Sequence, residues 1–157
     1  MSFSHIQDER AKMVDIGGKA DVSRRAVAAG EIRLKRETLE AVKNRKIVKG
    51  EVLETARIAA VMAVKKTPLA IPMCHNIPVA SIDVRFDIGE DSITATVEVS
   101  SFGKTGVEME ALHGVSVALL TIWDMVKSAE KDTTGNYPST EISKIRVLEK
   151  EKAIVKS

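Results

Sequence analysis

Three places in the chain carry side-chain types that do chemistry. The first is Ile71-Pro72-Met73-Cys74-His75-Asn76-Ile77-Pro78, with the single cysteine, one of three histidines and two of four prolines. Each proline fixes its own φ, removes a donor and steers the residue before it out of helix. The segment is therefore a stiff connector, and a stiff loop can present Cys74, His75 and Asn76 to a ligand. Taken alone, it fits a plain connector with a buried thiol better. Neighbours in extended chain point to opposite sides, which argues against a Cys74–His75 nucleophile pair. A metal would need more ligands, and His5 and His113 are the only other histidines. His75 is better read as a positioning or proton-transfer group.

The second place lies in a long helical pattern, residues 106–131. At 100° per residue, Glu110, Gly114, Val117, Thr121, Asp124 and Ser128 share one side. A solvated face with an ordinary Asp124/Lys127 pair would contribute little. Gly114, Val117 and Thr121 make that side more apolar than plain solvent requires. In a dry site, burial and the like charge of Lys131 would lower the Lys127 pKa while Asp124 raised it. A lysine tuned toward neutrality serves as a general acid or base. The third place is a scatter of cations. Lys49 precedes a helix start, where the dipole disfavours it, so an anion is expected nearby. Lys19, Arg24 and Lys65 could line a phosphate-binding surface, although each also fits a solvated surface position.

The elements that must position these groups are legible from periodicity. Residues 24–34 alternate as a strand with small side chains on one face. A short helix follows over 37–45, then a stronger one over 50–66 with Val52, Leu53, Ala56, Ala59, Ala60 and Ala63 at three-four spacing. Ile82, Val84, Phe86 and Ile88, then Ile93, Ala95, Val97 and Val99, alternate on either side of Gly89-Glu90-Asp91 and predict an antiparallel hairpin. Thr105 and Glu108 have the form of a capping box for the long helix. A last strand covers 141–149, with Ile145 and Val147 on one side. Helices segregated from antiparallel strands give an α+β sandwich of two layers, compatible with a ferredoxin-like topology.

The chain of 157 residues reads as a single domain, residues 1–157, with mobile tails at 1–12 and 150–157. Its 24 Lys and Arg against 22 Asp and Glu give no case for a nucleic-acid partner. A lone cysteine fits a reducing, cytoplasmic setting. The polar start resembles no secretory signal, and no uninterrupted apolar run reaches membrane-spanning length, so no membrane role is expected.

Four stretches together go beyond composition: 13–30 (MVDIGGKADVSRRAVAAG), 49–67 (KGEVLETARIAAVMAVKKT), 71–79 (IPMCHNIPV) and 104–131 (KTGVEMEALHGVSVALLTIWDMVKSAEK). In this order they resemble the cyclic pyranopterin monophosphate synthase (MoaC) family of molybdenum cofactor biosynthesis, over about Met13 to Leu148. The resemblance implies a ferredoxin-like lyase. It would convert (8S)-3',8-cyclo-7,8-dihydroguanosine 5'-triphosphate to cyclic pyranopterin monophosphate and diphosphate. It implies a homohexamer, a trimer of dimers, with the active site at a subunit interface. It implies no metal or redox cofactor, Mg²⁺ entering only with the triphosphate. Substrate binding would fall on Met73, Cys74, His75, Met109 and Glu110, and catalysis on Asp124, Lys127 and Lys49. Lys19, Arg24 and Lys65 would meet phosphates. Asn76, Met73, His113, Gly114 and Trp123 depart from the usual residues, and the Gly-rich basic C-terminal signature is replaced by EKEKAIVKS. The runner-up is a nucleotide-triphosphate binding module that keeps the pocket without turnover, and a third reading is a structural scaffold.

Overall fold

The computed structural model describes residues 6–7 and 10–153. In chain order come strands β1 (Ile6–Gln7), β2 (Arg10–Ala11) and β3 (Val22–Arg33), and helices α1 (Arg36–Lys43), α2 (Val52–Lys65) and α3 (Thr67–Ala70). Strands β4 (Val79–Ile88) and β5 (Ser92–Gly103), helix α4 (Glu108–Glu130) and strand β6 (Glu141–Ala153) complete them. The four long strands form one antiparallel sheet in the order β4-β5-β3-β6, while β1 pairs with β2. With α2 and α4 packed on the sheet, this is the α+β ferredoxin-like two-layer sandwich that the pattern predicts.

Alternation decides which face is covered. The register pairs Ala26 with Val99, Ala28 with Val97, Gly30 with Ala95 and Ile32 with Ile93, and all of these are buried under the helices. The opposite face is polar: Arg25 bridges Glu98, Glu149 and Glu151 at 2.7–3.3 Å across three strands. With few aromatics, the layers must meet through small side chains. A Cβ on Gly30 would lie 2.8 Å from Ile145 Cγ1 and 3.0 Å from Leu119 Cδ1 and Val115 Cγ1. One on Gly114 would lie 2.9 Å from Val64 Cγ2. That contact brings the end of α2 to the start of α4, so the two helices run antiparallel.

Several boundaries differ from the sequence reading. Helix α4 begins at Glu108 with Val107 at its N-cap and no side-chain cap bond, so Thr105 lies too early to close a capping box. Glu108 pairs with Lys150 instead. Strand β6 runs on through Ala153, paired with Ser23, because β3 offers an open edge along its whole length. The tails read as mobile overlap that extension and the β1–β2 pair. Residues 1–5, 8–9 and 154–157 lie outside the described residues. Helix α4 contains a stretch long and apolar enough to span a membrane, half of it buried in the sandwich.

Candidate active site

The proline-bounded loop acquires its place from what precedes it. Helix α2 ends at Lys65, and Thr67-Pro68 restarts the chain as the single-turn α3. Cys74 N–H then donates to Ile71 O at 3.0 Å, turning the chain toward the start of α4. A cleft of about 270 Å³ forms there, walled by Lys19, Met73, Cys74, His75, Met109 and Glu110. The sequence reading names all six. It misses Val14, Ile16, Ile77, Thr105 and Gly106, which complete the walls and carry no chemical signal of their own.

His75 Nε2–H donates to Val14 O at 2.7 Å, which pins the ring to the 13–19 segment and leaves Nδ1 for a ligand. Glu110 is only 2% exposed, and its Oε1 has no hydrogen-bond partner. Burial pushes its carboxyl above the usual range; a hydrogen bond from its own backbone N–H opposes the rise, and the nearby Glu108 charge adds to it. The Cys74 thiol is pushed up by burial first and by Glu110 second, which disfavours the thiolate that a nucleophile needs. Among the described residues no group of three or more His, Cys, Asp or Glu side chains converges.

Asp124, Lys127 and Lys49 meet at the other end of the helix pair. Asp124 Oδ1 accepts from Lys127 Nζ at 2.7 Å and Oδ2 from Lys49 Nζ at 2.8 Å. Lys49 Nζ also donates to Asp124 O at 2.7 Å. The anion expected beside Lys49 is thus a side chain of α4. The two ammonium groups hold the Asp124 carboxyl down to about 2, the Lys127 bond contributing most. In return Asp124 raises the Lys127 pKa. This corrects the expectation of a lysine tuned toward neutrality. All three side chains are about half exposed, so desolvation is too small to oppose the pairing. Tyr137, which the sequence reading passes over, packs edge-on against Trp123 at 5.5 Å and interacts electrostatically with Lys127.

The sequence reading also makes Met109, Glu110, Asp124 and Lys127 one wall; in a single chain they form two. Glu110 and Asp124 are separated along α4 by fourteen residues, about 21 Å at the helical rise. The α2 helix spans a similar length between Lys49 and the proline loop. Lys65, exposed on the last turn of α2, does not line the cleft. The Arg24 guanidinium donates from Nε to Gly103 O at 3.3 Å and from Nη2 to Lys104 O at 3.2 Å, which commits much of it to the β5–α4 loop.

The sequence profile of the MoaC family matches residues 13–153. A Methanosarcina acetivorans protein named probable cyclic pyranopterin monophosphate synthase is 65% identical over 149 residues, covering 95% of this chain and 94% of its own. Proteins with the same name from Archaeoglobus fulgidus and Pyrococcus furiosus are 59% and 56% identical. These alignments cover 97% and 96% of both chains, respectively.

Proposed function

The chain belongs to the MoaC family and is an enzyme of molybdenum cofactor biosynthesis, and we propose that it converts (8S)-3',8-cyclo-7,8-dihydroguanosine 5'-triphosphate to cyclic pyranopterin monophosphate and diphosphate. The observation that supports this best is the cleft. It gathers six residues of the predicted substrate site around a buried carboxyl oxygen that lacks a partner. A purine-derived ring carries N–H donors that would satisfy Glu110 Oε1, and His75 lines the same cleft. Lys19 at the rim faces the phosphate end of such a ligand.

Asp124 fixes Lys127 and Lys49 as two cations a few ångström apart. Protonated lysines donate protons to the rearranging ring and neutralise charge that develops as diphosphate leaves. Firmly protonated in the isolated chain, Lys127 serves first as an acid and an electrostatic clamp. It becomes a base only after giving up its proton. The reacting ring cannot touch both clusters of one chain. The catalytic triad of one copy therefore completes the cleft of another, in a homo-oligomer that the resemblance makes a hexamer. Ile58, Met62 and Leu120, each at least half exposed on α2 and α4, supply apolar surface for such contact. No redox cofactor is required, and a cytoplasmic setting suits the half-buried free thiol.

The test supplies the cyclised substrate and follows the pterin product after oxidation to its fluorescent form. Wild type turns over; Lys127→Ala and Lys49→Ala bind substrate without product. Undiminished turnover in both variants overturns the catalytic assignment.

A further inference from the structure

The proline loop that walls the cleft starts from α3, and α3 has little to hold it. It is a single turn of four residues with no side-chain cap at Lys66, and Pro68 removes one of its donors. A helix of that length has no stability of its own. Leu69 stands 83% exposed, and Thr67 is the one buried residue of the turn. Whatever fixes Thr67 therefore fixes where the loop begins.

The Thr67 hydroxyl reaches both long helices. Oγ1 donates to Ala63 O on α2 at 3.2 Å and lies 3.1 Å from His113 Nδ1 on α4. A hydroxyl has one proton. With that proton on the Ala63 bond, the contact to α4 closes when His113 Nδ1 carries a hydrogen and donates it to Oγ1. The opposite assignment would set Oγ1 against Ala63 O with no proton between them, at a side chain with no exposure to water. The neutral His113 ring is thus held as its Nδ1–H tautomer. From Thr67 the constraint passes along the backbone. Thr67 O accepts from Ile71 N–H at 2.9 Å, and Ile71 O from Cys74 N–H at 3.0 Å. The far end of the loop is tied separately, by Ser101 Oγ donating to Pro78 O at 2.9 Å. His113 lies one turn beyond Glu110 on α4. The bond therefore joins the loop that carries Cys74 and His75 to the helix that carries Met109 and Glu110, all four of which wall the cleft.

We propose that His113 is a positioning residue for substrate binding. Its Nδ1–H bond to Thr67 clasps α3 to α4 and so sets the place of Cys74 and His75 against Glu110. His113 does not line the cleft and acts through Thr67 and the loop. The effect on turnover rests on the reading of the cleft as the substrate site; the clasp itself does not. The Lys49–Asp124–Lys127 cluster, at the other end of the helix pair, is off this path, so losing the clasp raises KM more than it lowers kcat.

Three measurements on the full-length enzyme test this. The first is a long-range proton–nitrogen NMR spectrum of enzyme carrying isotope-labelled histidine, recorded at about pH 9, where imidazoles are neutral. His113, told apart from the other two histidines by substitution, shows a protonated Nδ1 and a bare Nε2. The Nε2–H tautomer overturns the clasp, with no variant having to fold. The second is the rate at which iodoacetamide alkylates Cys74, the only cysteine, which reports how firmly the loop is held. His113→Ala raises that rate about tenfold, the order of one buried hydrogen bond, and Thr67→Val at least as much. The double variant does no more than Thr67→Val alone, because His113 acts through that hydroxyl. His113→Asn, whose amide N–H can replace Nδ1–H, restores the wild-type rate. Additive effects, or a His113→Asn rate equal to that of His113→Ala, overturn the proposal. The third is pterin formation by the same proteins. KM rises about tenfold in His113→Ala and recovers in His113→Asn, while a fall in kcat at unchanged KM overturns the positioning role. Wild type that shows the tautomer and the alkylation pattern yet makes no pterin keeps the clasp and loses the substrate assignment. Wild type that makes pterin, with KM and alkylation indifferent to His113, loses the clasp alone.

Discussion

A carboxyl oxygen buried without a partner costs about 1–3 kcal/mol in desolvation, and Glu110 Oε1 is in that position. Replacing Glu110 by methionine, similar in volume, should therefore raise Tm by a few degrees and weaken substrate binding at least about tenfold. Thermal melts and a binding titration check both. A loss of stability would mean that the bond the carboxyl accepts from its own backbone N–H outweighs the unpaired Oε1. At Asp124 the coupling runs in both directions. Its carboxylate stays ionised until pH falls through about 2, so it is charged throughout the working range. It also raises the Lys127 pKa, so the ammonium persists until pH rises through that raised value. Asp124→Asn removes the support. The alkaline limb of residual turnover, or the NMR titration of Lys127, then moves to lower pH. An unmoved limb would show that Lys127 is not the acid. Cys74 and His75 were legible as a functional loop from two prolines, because proline stiffness is a local property. The upward shift of the Cys74 thiol was not, because it comes first from burial and second from Glu110, which follows it in the chain by 36 residues and is brought near only by folding.

The helices and strands hold these groups through contacts that tolerate little change. Gly30 sits where Ile145, Leu119 and Val115 already crowd. Gly30→Val should cost about 1–3 kcal/mol or more through overpacking, seen as a lower midpoint in urea. Glu130 is fully buried at the end of α4 and ties three elements together. It accepts from Thr38 Oγ1 at 2.5 Å, Thr140 Oγ1 at 2.5 Å and Lys35 N–H at 3.1 Å. Each buried group left unpaired by its loss costs about 1–3 kcal/mol, so Glu130→Ala should be among the most destabilising substitutions outside the site. Glu130→Gln should recover part of the loss. Periodicity revealed the hairpin and α2 within a few residues, since exposure alternates with the repeat of each element. It misjudged the start of α4, where Thr105 and Glu108 match a cap on spacing alone. The chain is still in the β5–α4 loop at Thr105, held there by Arg24.

At the scale of the molecule, the α2–α4 pair keeps the cleft and the Lys49–Asp124–Lys127 cluster about 21 Å apart. A site shared between copies predicts complementation. Glu110→Ala and Lys127→Ala chains, each inactive alone, should recover about a quarter of wild-type activity when mixed through an unfolding–refolding cycle. Half of randomly formed dimers are then mixed, with one of two sites intact. No recovery would require a site within one chain. The sequence by itself determined the layer architecture, the family and the residue types of both clusters, because hydrophobic repeats and short motifs are local information. Only the tertiary structure decided which of those residues meet. Lys49 joins Asp124 from 75 positions away, and Lys152 faces Arg24 across a sheet. Glu110 and Asp124, on one side of one helix by periodicity, end at opposite ends of the domain. A helical repeat gives the direction of a side chain about the axis, while distance along the axis and the neighbours met there are set by how helices and strands pack.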